Sequence, residues 1–119
     1  MKLNFLTFFI KDTEKTIEFY ETLAGLKVER RFNPGIGEII FMGNGKDETK
    51  LEFIAAGKDL AYKQGSGMTM CFLCDGSLEQ LREEAIKLGY NPSDIFDKVP
   101  APVNFTVLDP HGILVEFCK

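Results

Sequence analysis

The chain reads as the same element order written twice, and that repeat limits the folds open to it more than any composition figure does. "LNFLTFFI" (3–10) has the apolar density of a strand. Asp12 is placed to cap a helix in "TEKTIEFYETLAG", where Ile17, Phe19, Tyr20, Leu23 and Ala24 keep to one side and Gly25 supplies a terminator. Three strands are expected next, "LKVERRF", "GEIIFMG" and "KLEFIAA", the last two joined by a turn at Asn44-Gly45. The order then restarts. "MTMCFLC" is a strand, and Ser77-x-x-Gln80 is a capping box for a helix striped by Leu78, Leu81, Ala85 and Leu88 and ended by Gly89. "NPSDIFDKVPAP" is turn-rich, with a short strand expected around Ile95–Phe96. "VNFTVLD" and "ILVEFC" form a hairpin about Asp109-Pro110-His111-Gly112, a type I turn sequence.

Register supports the repeat. Glu52 sits between Leu51 and Phe53, and Glu116 between Val115 and Phe117, so on alternating strands each carboxylate points away from the face its neighbours bury. Glu52 lies 47 residues after Phe5 (52 − 5) and Glu116 lies 47 after Thr69 (116 − 69). Two superposable modules therefore pair Phe5 with Thr69 and Glu52 with Glu116. The expected organisation is α+β: a first βαβββ module over 1–60 and a second over 66–119, each a mixed curved sheet with a concave face opposite its helix.

Composition narrows the function classes. A chain of 119 residues that is 45% hydrophobic, with 11 phenylalanines and no tryptophan, promises an aromatic-rich interior. Net charge is −4 with no basic run, which argues against nucleic acid. "MKLNFLTFFIKD" has too short an apolar stretch, interrupted by Asn4, for a signal sequence, and no segment reaches the length of a membrane span, so a cytoplasmic location is expected. Three cysteines make a poor disulfide framework. Cys71 and Cys74 stand three apart on a strand and face opposite sides, so all three are expected to be ordinary buried thiols. His111 is expected as a solvated turn residue, and Asp12 and Asp75 as strand-end or helix-start residues. Gly35 and Gly37 precede a strand rather than a helix, which excludes a phosphate-binding loop.

The βαβββ pair, with "FIKDTEKTIEFYETLAGLKV", "LEF" and "VLDPHGILVEF", resembles the vicinal oxygen chelate superfamily, which contains glyoxalase I, bleomycin-resistance proteins and extradiol dioxygenases. The resemblance spans essentially the whole chain. It implies a cleft in which a divalent metal is commonly held by two histidines or equivalents and two carboxylates, drawn from the first and last strands of each module. The carboxylates fall at Glu52 and Glu116. The histidines fall at Phe5 and at Thr69, or at Met68 if the register slips by one. Phenylalanine cannot ligate, and a lone threonine hydroxyl is a weak ligand for zinc or nickel. Glu52 and Glu116 alone would hold a hard divalent cation only loosely.

The resemblance thus implies a glyoxalase/bleomycin-resistance-like protein with a degenerate metal site. It would bind a small amphipathic or cationic ligand through Phe5, Thr7, Phe9, Glu52, Thr69 and Glu116, with rings for stacking and carboxylates for charge-assisted hydrogen bonds. The alternative is a metal-dependent lyase, isomerase or dioxygenase of the glyoxalase I type, with Glu52 or Glu116 as its base. A plainer reading has Phe5 and Phe9 filling a core and the glutamates neutralised by Arg30, Arg31 or Lys50. A homodimer is the implied assembly, and the linker Gly57–Gly67 is long enough for exchanged or unexchanged modules.

Overall fold

The structure, a computed structural model, describes residues 1–45, 47–56 and 65–119; most of the Gly57–Gly67 linker lies outside them. The chain divides into two compact units, Met1–Lys63 and Gln64–Lys119.

The first unit contains β1 (Phe5–Phe9), α1 (Thr13–Thr22), β2 (Lys27–Phe32), β3 (Glu38–Gly43) and β4 (Lys50–Ala55). Its sheet runs β1-β4-β3-β2, with β1 parallel to β4 and the other pairs antiparallel. Helix α1 starts where Asp12 Oδ1 accepts from the Lys15 amide at 3.0 Å. It buries Phe19, Tyr20 and Leu23. Tyr20 stacks at a tilt on Phe53, 5.0 Å between ring centroids, and Phe53 in turn meets Phe8 at 5.8 Å. Leu51, Phe53, Ile40 and Met42 complete this buried face. A bulge between Val28 and Arg30 leaves Glu29 as the extra residue of β2. The two glycines of the β2–β3 turn are both held by Asn33, and Gly37 also has a packing role. Asn33 Oδ1 accepts from the Gly35 and Gly37 amides, and a Cβ on Gly37 would overlap the Ala55 carbonyl oxygen.

The second unit contains β5 (Met70–Leu73), α2 (Leu78–Lys87), β6 (Asn104–Leu108) and β7 (Leu114–Cys118). Its sheet runs β5-β7-β6, with β5 parallel and β6 antiparallel to β7. Ser77 Oγ caps α2 by accepting from the Gln80 amide at 3.2 Å. Leu78 and Ala85 are buried with Phe105, Val107, Val115 and Phe117. The strand expected around Ile95–Phe96 is reduced to an isolated bridge, Phe96 with Asn104. The local sequence explains this: Pro92, Pro100 and Pro102 each lack an amide donor, so no continuous ladder can form. The segment still binds the edge of β6 through Ser93 N–H to the Thr106 carbonyl (2.8 Å) and Phe96 N–H to the Asn104 carbonyl (2.7 Å). In the β6–β7 turn, buried Asp109 takes hydrogen bonds on Oδ1 from the His111 and Ile113 amides at 2.8 and 2.9 Å. His111 is half-buried beside that carboxylate.

Candidate functional site

Each sheet has one face packed on its helix and one face turned away from it, and Phe5, Thr7, Phe9, Glu52 and Glu116 lie on the latter. In the first unit β1 alternates so that Leu6 and Phe8 go toward the helix side while Phe5, Thr7 and Phe9 do not; Phe5 and Phe9 are 39% and 42% exposed. Across the parallel pair, Phe5 stands opposite Lys50 and Thr7 opposite Glu52. The side chain beside the carboxylate is therefore Thr7, whose Oγ1 donates to Glu52 Oε1 at 2.6 Å. Glu52 is in turn opposite Phe41 of β3. The Phe41 ring meets Phe5 edge-on at 5.3 Å and stacks on Phe32 at 6.4 Å, and the Arg30 guanidinium lies 4.8 Å over Phe32. The result is a cluster of rings around one half-buried, hydroxyl-bonded carboxylate.

The cations that sequence offered as partners for the glutamates are engaged elsewhere. Lys50 pairs with Glu29, the bulge residue. Arg31 points to the helix side and holds Glu14 of α1 and Glu38 of β3. The two-pronged hydrogen bond from Arg31 keeps the Glu38 carboxyl below the usual carboxylate range, while Glu38 and Glu14 raise the guanidinium further above its ordinary value.

The second unit places Cys71 opposite Glu116, and Glu116 opposite Thr106. Thr69 is exposed and stands just before β5 begins. The thiols are not the buried fillers expected from sequence: Cys71 is exposed, and Cys74 and Cys118 are half-buried. Cys71 and Cys118 are carried on the face of this sheet turned away from α2. Cys71 Sγ lies 3.5 Å from Glu116 Oε1 and 3.2 Å from Cys118 Sγ. Desolvation pushes the Cys71 thiol up to about 12, and its contacts with Cys118 and Glu116 act in the same direction. Sequence reasoning weighed Cys71 against Cys74, its near neighbour, and missed Cys118. The signal was available in the repeat: Cys71 and Glu116 follow Thr7 and Glu52 by 64 residues each (71 − 7, 116 − 52).

The divalent-metal site implied by the resemblance can be tested against these positions. Phe5 presents a ring, Thr69 lies outside the strand, and Glu52 already accepts from Thr7. That donor set does not fit a metal held in the superfamily's manner.

No helix among the described residues is long and apolar enough to cross a membrane. Solved structures with this fold span different activities. The trypanothione-dependent glyoxalase I of Leishmania major superposes with a TM-score of 0.82 at 21% identity, over 100% of this chain and 86% of its own. TnmS3, an antibiotic binding protein from Streptomyces sp. CB03234, gives 0.76 at 13% identity over 99% and 94%. The fosfomycin resistance protein FosX from Mesorhizobium loti gives 0.71 at 18% over 98% and 89%. No curated protein sequence matches the chain. The family model of the Glyoxalase/Bleomycin resistance protein/Dioxygenase superfamily matches residues 2–117, and with the paired modules and their register this places the chain in that superfamily.

Proposed function

We propose that this protein is a small-molecule binder of the bleomycin-resistance kind, taking an amphipathic or cationic ligand in a cleft, with the superfamily's metal site degenerate. The observation that carries this reading is the ring cluster around Glu52: Phe5 and Phe9 are exposed beside a carboxylate with no cation paired to it among the described residues. A flat cation can stack on the rings and hydrogen-bond to the carboxylate. Glu116 and Thr69 belong to the same proposed ligand set. A cytoplasmic homodimer is the assembly proposed for it, and a monomer mass by sedimentation would count against that part.

The test is titration of a panel of fluorescent cationic aromatic compounds; the chain has no tryptophan, so indole emission does not interfere. Phe5→Ala or Glu52→Gln should weaken binding by about two- to thirtyfold, the span of one cation–π contact. Binding that both variants leave unchanged would overturn the reading. Metal-dependent turnover lost with Glu52→Gln or Glu116→Gln would replace it with the lyase, isomerase or dioxygenase alternative.

A further inference from the structure

We propose that Cys71, Cys118 and Glu116 form a binding site for a thiophilic divalent cation of the zinc class, sharing only Glu116 with the superfamily's metal positions and taking both of its thiols from residues outside them. They are the one group of three or more His, Cys, Asp or Glu side chains among the described residues whose ligand atoms all lie within 4.8 Å of one another. Two thiols and a carboxylate suit a borderline-soft cation, whereas Glu52 with Glu116 would suit a hard one. The site goes beyond the ligand-binding reading: it shares Glu116 with that ligand set, but Cys71 and Cys118 have no part in it.

Two of the three spacings lie close to what such an ion requires, and the third, Cys118 to Glu116, is no more than 4.8 Å. Metal–sulfur bonds near 2.3 Å and metal–oxygen bonds near 2.1 Å in a tetrahedron put sulfur–sulfur at roughly 3.8 Å and sulfur–oxygen at roughly 3.6 Å. The observed distances are 3.2 Å and 3.5 Å. Widening the sulfur pair by about half an ångström needs only small χ1 rotations within their rotamer wells. The backbone beneath is fixed: Cys71 and Glu116 are register partners, and the Cys74 amide donates to the Cys118 carbonyl at 2.8 Å. Three protein ligands leave the fourth position open to water or to an incoming ligand.

The same register disfavours a disulfide. Cys71 is opposite Glu116, so Cys118 is its diagonal neighbour. A strand spacing of about 4.8 Å and a rise of about 3.3 Å per residue set those Cα atoms about 8 Å apart. That is beyond the roughly 7 Å limit for bridging two cysteines without backbone movement.

The experiment is titration of the reduced full-length protein with Co²⁺, as a spectroscopic stand-in for Zn²⁺, with no organic ligand present. One equivalent should give a thiolate-to-cobalt charge-transfer band and tetrahedral d–d bands, both removed by Zn²⁺. Cys71→Ser and Cys118→Ser should each weaken binding by more than about tenfold, the lower bound for losing even an outer partner of a metal site. Glu116→Gln should keep the sulfur band at reduced affinity, and Cys74→Ser should leave the spectrum intact. Unchanged thermal melts would show the serine variants folded, since both positions lie on the helix-free face. Absence of the band, its survival in Cys71→Ser or Cys118→Ser, or a Cys71–Cys118 disulfide in the purified protein would overturn the proposal. None of these outcomes depends on whether an aromatic cation binds near Glu52.

Discussion

Thr7 with Glu52 and Cys71 with Glu116 occupy one place in two copies of the same strand order, and they differ by a single kind of atom beside the carboxylate. In the first unit a hydroxyl donates to the glutamate and rings crowd around it. In the second a thiol stands there with another thiol two residues beyond the glutamate. The helix-facing side shows no such divergence: Phe53 and Phe117, each one residue past its glutamate, are both fully buried among other rings. Packing fixes one face of each sheet, while the other is free to change chemistry at constant geometry.

The strongest way to break that comparison is to attack the face held in common. Phe53→Ala removes the ring contacting Tyr20 and Phe8, and Phe117→Ala the one contacting Phe72 and Phe105. Each substitution should destabilise the protein by about 3–5 kcal/mol in urea unfolding. A loss below about 1.5 kcal/mol at one site alone would show that the two cores are not equivalent.

The shared face is also the part that sequence displays openly. Both N-caps, both apolar helix stripes and the Leu-Glu-Phe and Val-Glu-Phe alternations follow from local rules, because caps and periodicity involve residues within a turn or two of each other. The edge segment at Ile95–Phe96 was harder to read, since whether a proline-flanked stretch pairs depends on its neighbour as well as on its own propensity. The helix-free faces were least legible. Cys71 and Cys118 are 47 residues apart and meet only through the parallel β5–β7 register. The plainer reading of the sequence neutralises Glu52 with Arg30, Arg31 or Lys50, and the structure gives it the Thr7 hydroxyl, which sequence does not pair with it.

Next in size is the reactivity of Cys71. Its thiol is pushed from the ordinary 9.0 to about 12, with Cys118 and Glu116 of β7 facing it. Alkylation of the Cys71 peptide at neutral pH should therefore run more than about tenfold slower than that of free cysteine, because the thiolate is the nucleophile. The sign for stability follows from linkage: a value raised on folding adds stability below about pH 9, which is lost as pH climbs toward about 12. Cys71→Ser should flatten that alkaline limb, and an unchanged limb would refute the assignment.

A transplant sharpens the comparison directly. Ile54 follows Glu52 as Cys118 follows Glu116, and it pairs with Phe9 as Cys118 pairs with Leu73. Thr7→Cys with Ile54→Cys should give the first unit its own thiol–carboxylate group and raise Co²⁺ stoichiometry from one to two. The new site should bind at least about tenfold more weakly than the native one if the bulk of Phe5, Phe9 and Phe41 restrains the new side chains, a difference of about 1.4 kcal/mol. Stoichiometry that stays at one would mean that register alone does not make the site.

The smallest effect concerns how each unit latches its helix to the sheet edge. In the first, Arg31 on β2 reaches Glu14 of α1 at 2.6 Å and grips Glu38 with both prongs at 3.0 Å. In the second the polarity is reversed: Arg82 on α2 donates to the Ser93 carbonyl at 2.7 Å, with Asp94 more distant at 3.4 Å. The first latch is chiefly charge on charge, and the second chiefly charge on a backbone carbonyl. Glu38 is held below its ordinary value, so its contribution is present above the usual carboxylate range and disappears as pH falls through the lowered value. Arg31→Gln should lower the unfolding midpoint slightly at neutral pH, converge with the parent in acid, and lose most of its effect in molar salt. Arg82→Gln should produce a loss that salt and pH barely alter, because a carbonyl does not titrate. If both variants respond alike to salt, the two latches rest on the same interaction, and the contrast between strand-borne and helix-borne arginine carries no energetic meaning.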